Sequence, residues 1–224
     1  MQGTSDRNKW IALAVFALIA AGVVAAILIA RGGGSSGTAS VSGCRKVEAP
    51  PPKHVSFKAP KQVAKKGEKL TAVVKTSCGS FEIALASAEA PKTVNSFVFL
   101  SEEGFYDDLT FHRVAPEFVI QGGDPLGNGT GGPGYSVVEK PPANLSYAKG
   151  TVAMAKSATD PSGSSGSQFF VVLAASAPLP PEYALLGKVD KGFDVVERIG
   201  SLGDAETQKP KQVVLIEKIS IERG

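Results

Sequence analysis

Residues 111–125 read FHRVAPEFVIQGGDP, and they are followed at 127–134 by the glycine-rich run GNGTGGPG. The segments LTFHRV and EFVIQ have the β-branched and aromatic residues that are typical of short strands. Arg113 and Gln121, two polar residues, thus lie within apolar strand sequence. The stretch holds no cysteine and no closely spaced pair of carboxylates. It therefore predicts a β-rich domain whose site contains an arginine and a glutamine but no nucleophile.

The sequence on either side adds more short strands and two helices. Residues 71–85, TAVVKTSCGSFEIAL, are typical of a hairpin with a Cys-Gly-Ser turn. A first helix is predicted to begin at Pro91 and to stop at Gly104, and a second helix, FDVVERI, to end at Gly200. Further strands are GTVAMAK, SQFFVVL, YALLGKV and VVLIEKISIE. We therefore predict a mainly β (α+β) domain over residues 66–224, with an antiparallel barrel capped by two helices.

Charge and composition exclude several classes of protein. The 224-residue chain has a net charge of +3, but residues 31–75 carry ten Lys/Arg against two Glu, and residues 76–224 carry twelve basic and eighteen acidic residues. A nucleic-acid-binding face needs clustered Lys and Arg on the folded domain, so no nucleic-acid partner is expected. Two cysteines and two histidines are too few and too scattered for a zinc site, and no metal or cofactor is predicted.

A nucleotide site is also rejected. Gly127, Gly129 and Gly132 match the pattern G-x-G-x-x-G. The pattern needs a helix that opens at its end, and the proline-rich sequence that follows here cannot supply one. These glycines are therefore interpreted as a tight loop.

The N-terminal sequence predicts a membrane anchor. Residues 10–30, WIALAVFALIAAGVVAAILIA, are 21 residues without a charge, so a helix of roughly 31 Å would match a bilayer core of about 30 Å. We predict a cytoplasmic N-terminus at 1–9, a single transmembrane helix at 10–30, and a Gly-, Pro- and Lys-rich linker at 31–65. Arg7 and Lys9 precede the apolar run and favour an extracytoplasmic domain, N-in and C-out. The alternative is a cleaved signal peptide and a secreted form, although the run exceeds the roughly 7–15 residues of a typical signal.

The two cysteines are predicted to pair. Cys44 lies in the linker and Cys78 near the start of the domain. Outside the cytoplasm disulfides persist. The hypothesis is therefore a bond that ties the linker to the domain, and the alternative is two free thiols.

Five blocks in a fixed order carry a resemblance to one family. The blocks are FHRVAPEFVIQGGDP, GNGTGGPGY, GTVAMAKS, SGSQFFVV and YALLGKVDKGFDVVERI, within residues 66–224. Together they resemble the cyclophilins, and we interpret the chain as similar to a bacterial, membrane-anchored member. The resemblance implies a closed eight-stranded antiparallel β-barrel capped by two α-helices, with a groove on its outer face. It also implies no cofactor and a monomeric catalytic domain.

The resemblance implies the site residues as well. Arg113 matches the catalytic arginine, and Gln121 is expected to hold that arginine or the substrate carbonyl. The positions that match substrate-binding residues are Phe118, Val119, Gly129, Ala155, Lys156, Gln168, Phe170, Leu179 and Tyr183. Three of them depart from the family: Val119 replaces a frequent Met, Lys156 an Asn, and Tyr183 a His that is common in eukaryotic members.

The implied activity is that of a peptidyl-prolyl cis-trans isomerase. It would accelerate rotation about X–Pro bonds in polypeptides and assist the folding of exported proteins. Rotation about an amide bond makes and breaks no covalent bond, so a site without a nucleophile or a metal suits it. The alternative is a peptide-binding chaperone or scaffold of the same fold with little turnover.

Overall fold

The computed structural model describes residues 43–224, so the predicted anchor and the first part of the predicted linker lie outside the described residues. Within residues 43–224 the chain forms thirteen strands and two helices, which confirms a mainly β domain with two helices. The helices are α1 (Pro91–Glu102) and α2 (Phe193–Ser201). The strands are β1 (Leu70–Thr76), β2 (Gly79–Leu85), β3 (Leu109–Thr110), β4 (Arg113–Ala115), β5 (Val119–Gly122), β6 (Val137–Val138), β7 (Tyr147–Ala148), β8 (Thr151–Met154), β9 (Ser164–Ser165), β10 (Phe169–Val172), β11 (Ser176–Ala177), β12 (Leu185–Lys191) and β13 (Leu215–Arg223).

Nine of these strands form one curled antiparallel sheet, in the order β3-β13-β1-β2-β12-β8-β10-β5-β4. The prediction of a closed eight-stranded barrel is corrected, because no ladder joins the edge strands β3 and β4 within residues 43–224. These two strands come from one run, Leu109–Ala115, which is interrupted at Phe111 and His112. β3 pairs with β13 and β4 pairs with β5, so the run contributes to both ends of the sheet and leaves a curled half-barrel.

The two faces of the sheet bury different clusters. In the main core, Val114, Ile120 and Val171 lie side by side across three strands and are fully buried. Successive residues of a strand point to opposite faces. Phe169 accordingly joins the main core, whereas Phe170 joins a second cluster on the other face. Phe111, Val114 and Met154 also belong to the main core, and all three are at most 1% exposed.

Both helices pack against the main core. Pro91 opens α1 in the first turn, as predicted, since its missing N–H has no partner to lose there. α1 buries Val94, Phe97 and Val98. α2 buries Val195, Val196 and Ile199 on one side. No helix within the described part of the chain is long and apolar enough to cross a membrane.

Residues 43–65, which we call the strap, have no helix or strand but lie against the domain. Cys44 is disulfide-bonded to Cys78 in the turn between β1 and β2. Near the other end of the strap, the side-chain oxygen of Asn95 on α1 accepts hydrogen bonds from the N–H groups of Val63 and Ala64, at 2.8 and 3.0 Å. This part of the predicted linker is therefore held to the domain at both ends.

Candidate active site

The candidate catalytic residues lie in one row across the sheet. β4 and β5 form a hairpin in which Arg113 is paired with Gln121. In the next ladder Gln121 is paired with Phe170, and Phe170 with Ala153. Paired residues point to the same face. The eight-residue spacing of Arg113 and Gln121 is thus a direct cross-strand pair, on the face opposite the main core.

Arg113 is fixed by two glutamine side chains. Its Nη1 donates to Gln121 Oε1 at 3.2 Å, and its Nε donates to Gln208 Oε1 at 2.8 Å. The guanidinium carbon lies 5.9 Å from the centre of the Phe118 ring. Burial lowers the pKa of Arg113, and Tyr183 opposes this effect; an arginine nevertheless stays protonated at neutral pH. A guanidinium has five N–H donors, and within residues 43–224 two of those of Arg113 are used by these bonds.

A chain of amides extends from Gln121 to the glycine-rich run. Gln121 Nε2 donates to Gln168 Oε1 at 3.0 Å, and Gln168 Nε2 donates to the carbonyls of Gly129 and Gly131 at 3.0 and 2.9 Å. We call residues 123–134 the groove loop. Asp124, which is buried, accepts hydrogen bonds from the N–H groups of residues 126, 128 and 129. The backbone of Gly129 has φ +92°, a conformation that favours glycine.

The second cluster presents apolar side chains beside Arg113, and we call these residues the pocket. Val119, Phe170 and Tyr183 are 2%, 4% and 8% exposed, and the Phe170 and Tyr183 rings meet edge to face at 5.5 Å between centroids. Partly buried apolar residues complete the pocket: Phe118, Leu145, Ala155, Ala174 and Leu179. An apolar surface beside a fixed donor suits a proline ring whose preceding amide faces the arginine.

Lys156, which is predicted to contact substrate, lies beside the pocket with its charged end held by neighbouring groups. Its Nζ donates to the carbonyls of Ser157 and Asp160, at 3.2 and 3.1 Å, and lies 3.6 Å from the Glu182 carboxylate. The side chain is 5% exposed. It also lies 5.8 Å from the centre of the Tyr183 ring, at the edge of the pocket. Its charge is thus engaged by two carbonyls of its own loop and by Glu182, and a contact with substrate stays a prediction.

Two residues that sequence reasoning missed support the site. Gln208 lies 95 residues from its partner Arg113, outside the five blocks, and no local pattern points to it. The Tyr147 hydroxyl donates to the carbonyl of Tyr183 at 2.7 Å and accepts from its N–H at 2.9 Å. Burial raises the pKa of Tyr147 to about 12, so the hydroxyl is a protonated donor at neutral pH. The strand-like sequence before GTVAMAK is the only signal for this residue.

The His112 ring lies next to the groove loop, near Gly129. Burial lowers its pKa, while Asp124 acts in the opposite direction and Arg113 reinforces the lowering. Its Nδ1 atom has no hydrogen-bond partner within residues 43–224.

No group of three or more His, Cys, Asp or Glu side chains in the described part of the chain is arranged to hold a metal ion.

Comparisons with known proteins agree with this geometry. A family model described as cyclophilin type peptidyl-prolyl cis-trans isomerase/CLD matches residues 71–221. Peptidyl-prolyl cis-trans isomerase B of Streptomyces anulatus is 37% identical over 174 residues, which cover 69% of this chain and 98% of that protein. Peptidyl-prolyl cis-trans isomerase-like 1 of Neurospora crassa is 34% identical over 154 residues, with 67% and 93% covered.

A solved structure extends the similarity to three dimensions. It is a cyclophilin type peptidyl-prolyl cis-trans isomerase of Cryptosporidium parvum, crystallised in the presence of the dipeptide Ala-Pro. It is similar with a TM-score of 0.64 and 30% sequence identity, and the match covers 69% of this chain and 99% of that one.

Proposed function

The chain belongs to the cyclophilin-type peptidyl-prolyl cis-trans isomerases, and we propose that Arg113 is its catalytic residue and that the pocket around Phe170 binds the proline. The observation that carries the proposal is the row Arg113–Gln121–Phe170, which brings a fixed cationic donor next to an apolar pocket. The activity that follows is acceleration of the rotation about X–Pro bonds in polypeptides.

The chemistry of the reaction explains why an arginine is sufficient. Amide resonance raises a barrier of about 18–20 kcal/mol to rotation, and the uncatalysed reaction takes tens to hundreds of seconds, roughly. When the C–N bond is twisted, the proline nitrogen loses conjugation and its lone pair becomes a hydrogen-bond acceptor. A donor fixed near that nitrogen binds the twisted form better than either planar form, and this difference lowers the barrier.

Arg113 has the properties that this role requires. Its planar guanidinium is always charged and holds its donors in a rigid fork. Gln121 and Gln208 fix Nη1 and Nε, so the guanidinium does not have to be ordered when the substrate binds. A preorganised donor at the edge of an apolar pocket acts more strongly than one in bulk water.

The pocket residues supply the second requirement, which is a fixed proline ring. Phe118, Val119, Phe170 and Leu179 offer apolar surface on one side of Arg113. If the ring is held there, the residue before the proline does the turning. Gln121 and Gln168 then present amide groups to the peptide backbone beside it.

The proposal includes a cellular setting. We propose a bacterial, membrane-anchored enzyme whose domain lies outside the cytoplasm and assists the folding of exported proteins. The uncharged run at 10–30, which is long enough to span a bilayer, supports the anchor. Protease added to intact cells that carry the chain, with and without permeabilisation, tests the topology. Digestion of residues 43–224 is expected after removal of the outer barrier alone, and protection of the domain until the inner membrane is opened would contradict it.

The catalytic assignment is tested with a short Ala-Pro-Phe-type peptide. We expect the full chain to accelerate the cis-to-trans conversion, and Arg113→Ala and Arg113→Lys to lose most of this acceleration, since lysine keeps the charge without the fork. Lys191→Ala is the control for loss of a cation, because the Lys191 side chain is 69% exposed in an ion pair with Glu82 and neither residue belongs to the pocket. Full activity of a folded Arg113→Ala variant would refute the role of Arg113.

A further inference from the structure

The strap lies outside the matched family region, because residues 43–65 precede the match at 71–221. It is tied at both ends, by the Cys44–Cys78 disulfide and by Asn95 on α1. A segment that is only a spacer between an anchor and a domain would not need a second attachment. The contacts made by the middle of the strap therefore indicate what the two attachments serve.

The middle of the strap contacts both ends of the groove loop. The N–H of Lys53 donates to the carbonyl of Pro125 at 2.8 Å, and the N–H of Phe57 donates to the carbonyl of Pro133 at 2.7 Å. The approach is close, since a Cβ built at Gly134 would lie 2.0 Å from Ser56 Oγ. The Phe57 ring packs on α1 and the turn after it, 5.2 Å from the Phe99 ring and 6.4 Å from the Phe105 ring between centroids.

The inner side of the same loop reaches the candidate catalytic residues. The carbonyls of Gly129 and Gly131 accept from Gln168, which accepts from Gln121, which in turn accepts from Arg113. Five of the eight residues 127–134 are glycines, which lose the most backbone freedom when they are ordered. The loop thus depends on its neighbours for its shape, and the strap and Gln168 bind different carbonyls of it.

We propose that the strap is a positioning element of the isomerase site: it holds the groove loop in the shape that receives the peptide residues beside the proline. The inference rests on the proposed function, because the groove loop is a substrate wall only if the pocket around Phe170 binds proline. A loop ordered in advance spares the peptide the entropy cost of ordering it on binding. The strap therefore acts on substrate affinity and leaves the rotation step to Arg113.

Two variants of the full chain detach the strap from the loop by different means. Phe57→Ala removes the ring that holds the strap on α1, and Val55→Ala is its control, since Val55 is 41% exposed in the same segment. Lys53→Pro removes the N–H that bonds Pro125 and also the Nζ that donates to the Asp107 carbonyl, and the preceding prolines at 50–52 already suit an extended backbone. His54→Pro is the second control, because its N–H makes no hydrogen bond within residues 43–224.

The kinetic readout separates positioning from folding. With kcat and KM measured separately on the Ala-Pro-Phe-type peptide, both strap variants are expected to raise KM roughly fivefold with kcat unchanged. Hydrogen exchange of residues 123–134 is expected to speed up in the same variants, which is a readout independent of activity. Both controls keep the wild-type KM and the wild-type exchange.

Other results would overturn the inference. A KM for Phe57→Ala and Lys53→Pro equal to that of their controls would show that the strap does not shape the groove. A fall in kcat at constant KM would place its effect on the rotation step instead. Arg113→Ala, measured beside them, separates the catalytic role of Arg113 from the positioning role of the strap. If this variant retains full kcat, the catalytic role fails. Hydrogen exchange of residues 123–134 in the strap variants still tests the positioning role.

Discussion

Gln208 provides the sharpest test of how the arginine is positioned. Its Oε1 accepts from Arg113 Nε at 2.8 Å, and its backbone lies in a turn that the Asp204 carboxylate closes onto the N–H groups of residues 206 and 207. The Gln208 N–H donates to Asp204 O at 2.8 Å, and its carbonyl accepts from the Val114 N–H at 2.8 Å. Gln208→Ala removes the acceptor and leaves the backbone contacts in place. The backbone of Gln208 has φ 54°. Alanine carries the same Cβ as glutamine, so the substitution adds no backbone strain there.

The magnitude follows from the type of hydrogen bond. A bond to a charged group contributes about 1.5–3 kcal/mol, and the lower end applies because both side chains are only partly buried and water can replace the lost acceptor. A loss of about 1.4 kcal/mol corresponds to roughly a tenfold effect on a rate. We therefore expect Gln208→Ala to lower kcat roughly tenfold with KM nearly unchanged, because the lost orientation affects the twisted state most.

The assay is the cis-to-trans conversion of the Ala-Pro-Phe-type peptide, with thermal unfolding measured on the same samples. Thr207→Ala is the matched control, because the Thr207 hydroxyl bonds Asp204 in the same turn and does not contact the arginine. A Gln208→Ala variant with kcat within twofold of wild type, on the order of the noise in such comparisons, would refute the positioning role. A kcat loss that Thr207→Ala reproduces would assign the effect to the turn instead.

Three further outcomes are expected from the structure. Phe170→Ala should lower the free energy of unfolding by about 3 kcal/mol and weaken peptide binding, because the ring is 4% exposed in the pocket; urea unfolding and peptide titration check this, with Phe170→Leu as the milder control. Replacing Cys44 and Cys78 by Ala should cost up to about 3.8 kcal/mol, from the chain entropy of a loop closed over a sequence separation of 34. A reducing agent should then destabilise the wild type and leave that variant unaffected, and an equal effect on both would contradict the argument. Burial lowers the pKa of His112 in the folded state. Its contribution to the free energy of unfolding is therefore full above the unfolded pKa of about 6.5 and is lost as the pH falls toward the folded value. In urea unfolding between about pH 7.5 and about pH 5, the free energy of unfolding of His112→Gln should fall less than that of the wild type.

Local patterns in the sequence predict much of the fold. The start of α1 follows from Pro91, and the opposite burial of Phe169 and Phe170 follows from strand alternation. The division of the run Leu109–Ala115 into two strands does not, because both halves have strand composition. The two strands are separate because they pair with different partners, β13 and β5. The local sequence of residues 109–115 does not predict these partners.

The site could be predicted in part for a related reason. Arg113 and Gln121 are close in sequence and share a recognisable block, but the acceptor of the arginine Nε is 95 residues away in a loop without a pattern. The sequence predicts a linker at 31–65, which includes the strap, because Pro, Gly and Lys dominate it and no apolar periodicity is present. Its attachment depends on single residues, such as Phe57, whose partners lie on α1 and cannot be read from composition.

The register of the β4–β5 hairpin joins folding to catalysis. Arg113 and Gln121 are paired on the pocket face, and the next residue, Val114, is fully buried in the main core. A slip of one residue would exchange these faces and place the guanidinium in the apolar core, where an unpaired charge is strongly unfavourable. The turn between β4 and β5 contains Glu117 at φ 58°, a conformation that few residues other than glycine adopt. The paired residues of β4 and β5 must therefore stabilise this turn. The apolar residues of the core face therefore determine where the arginine lies, and the position of Phe170 beside Gln121 follows from the next ladder of the same sheet.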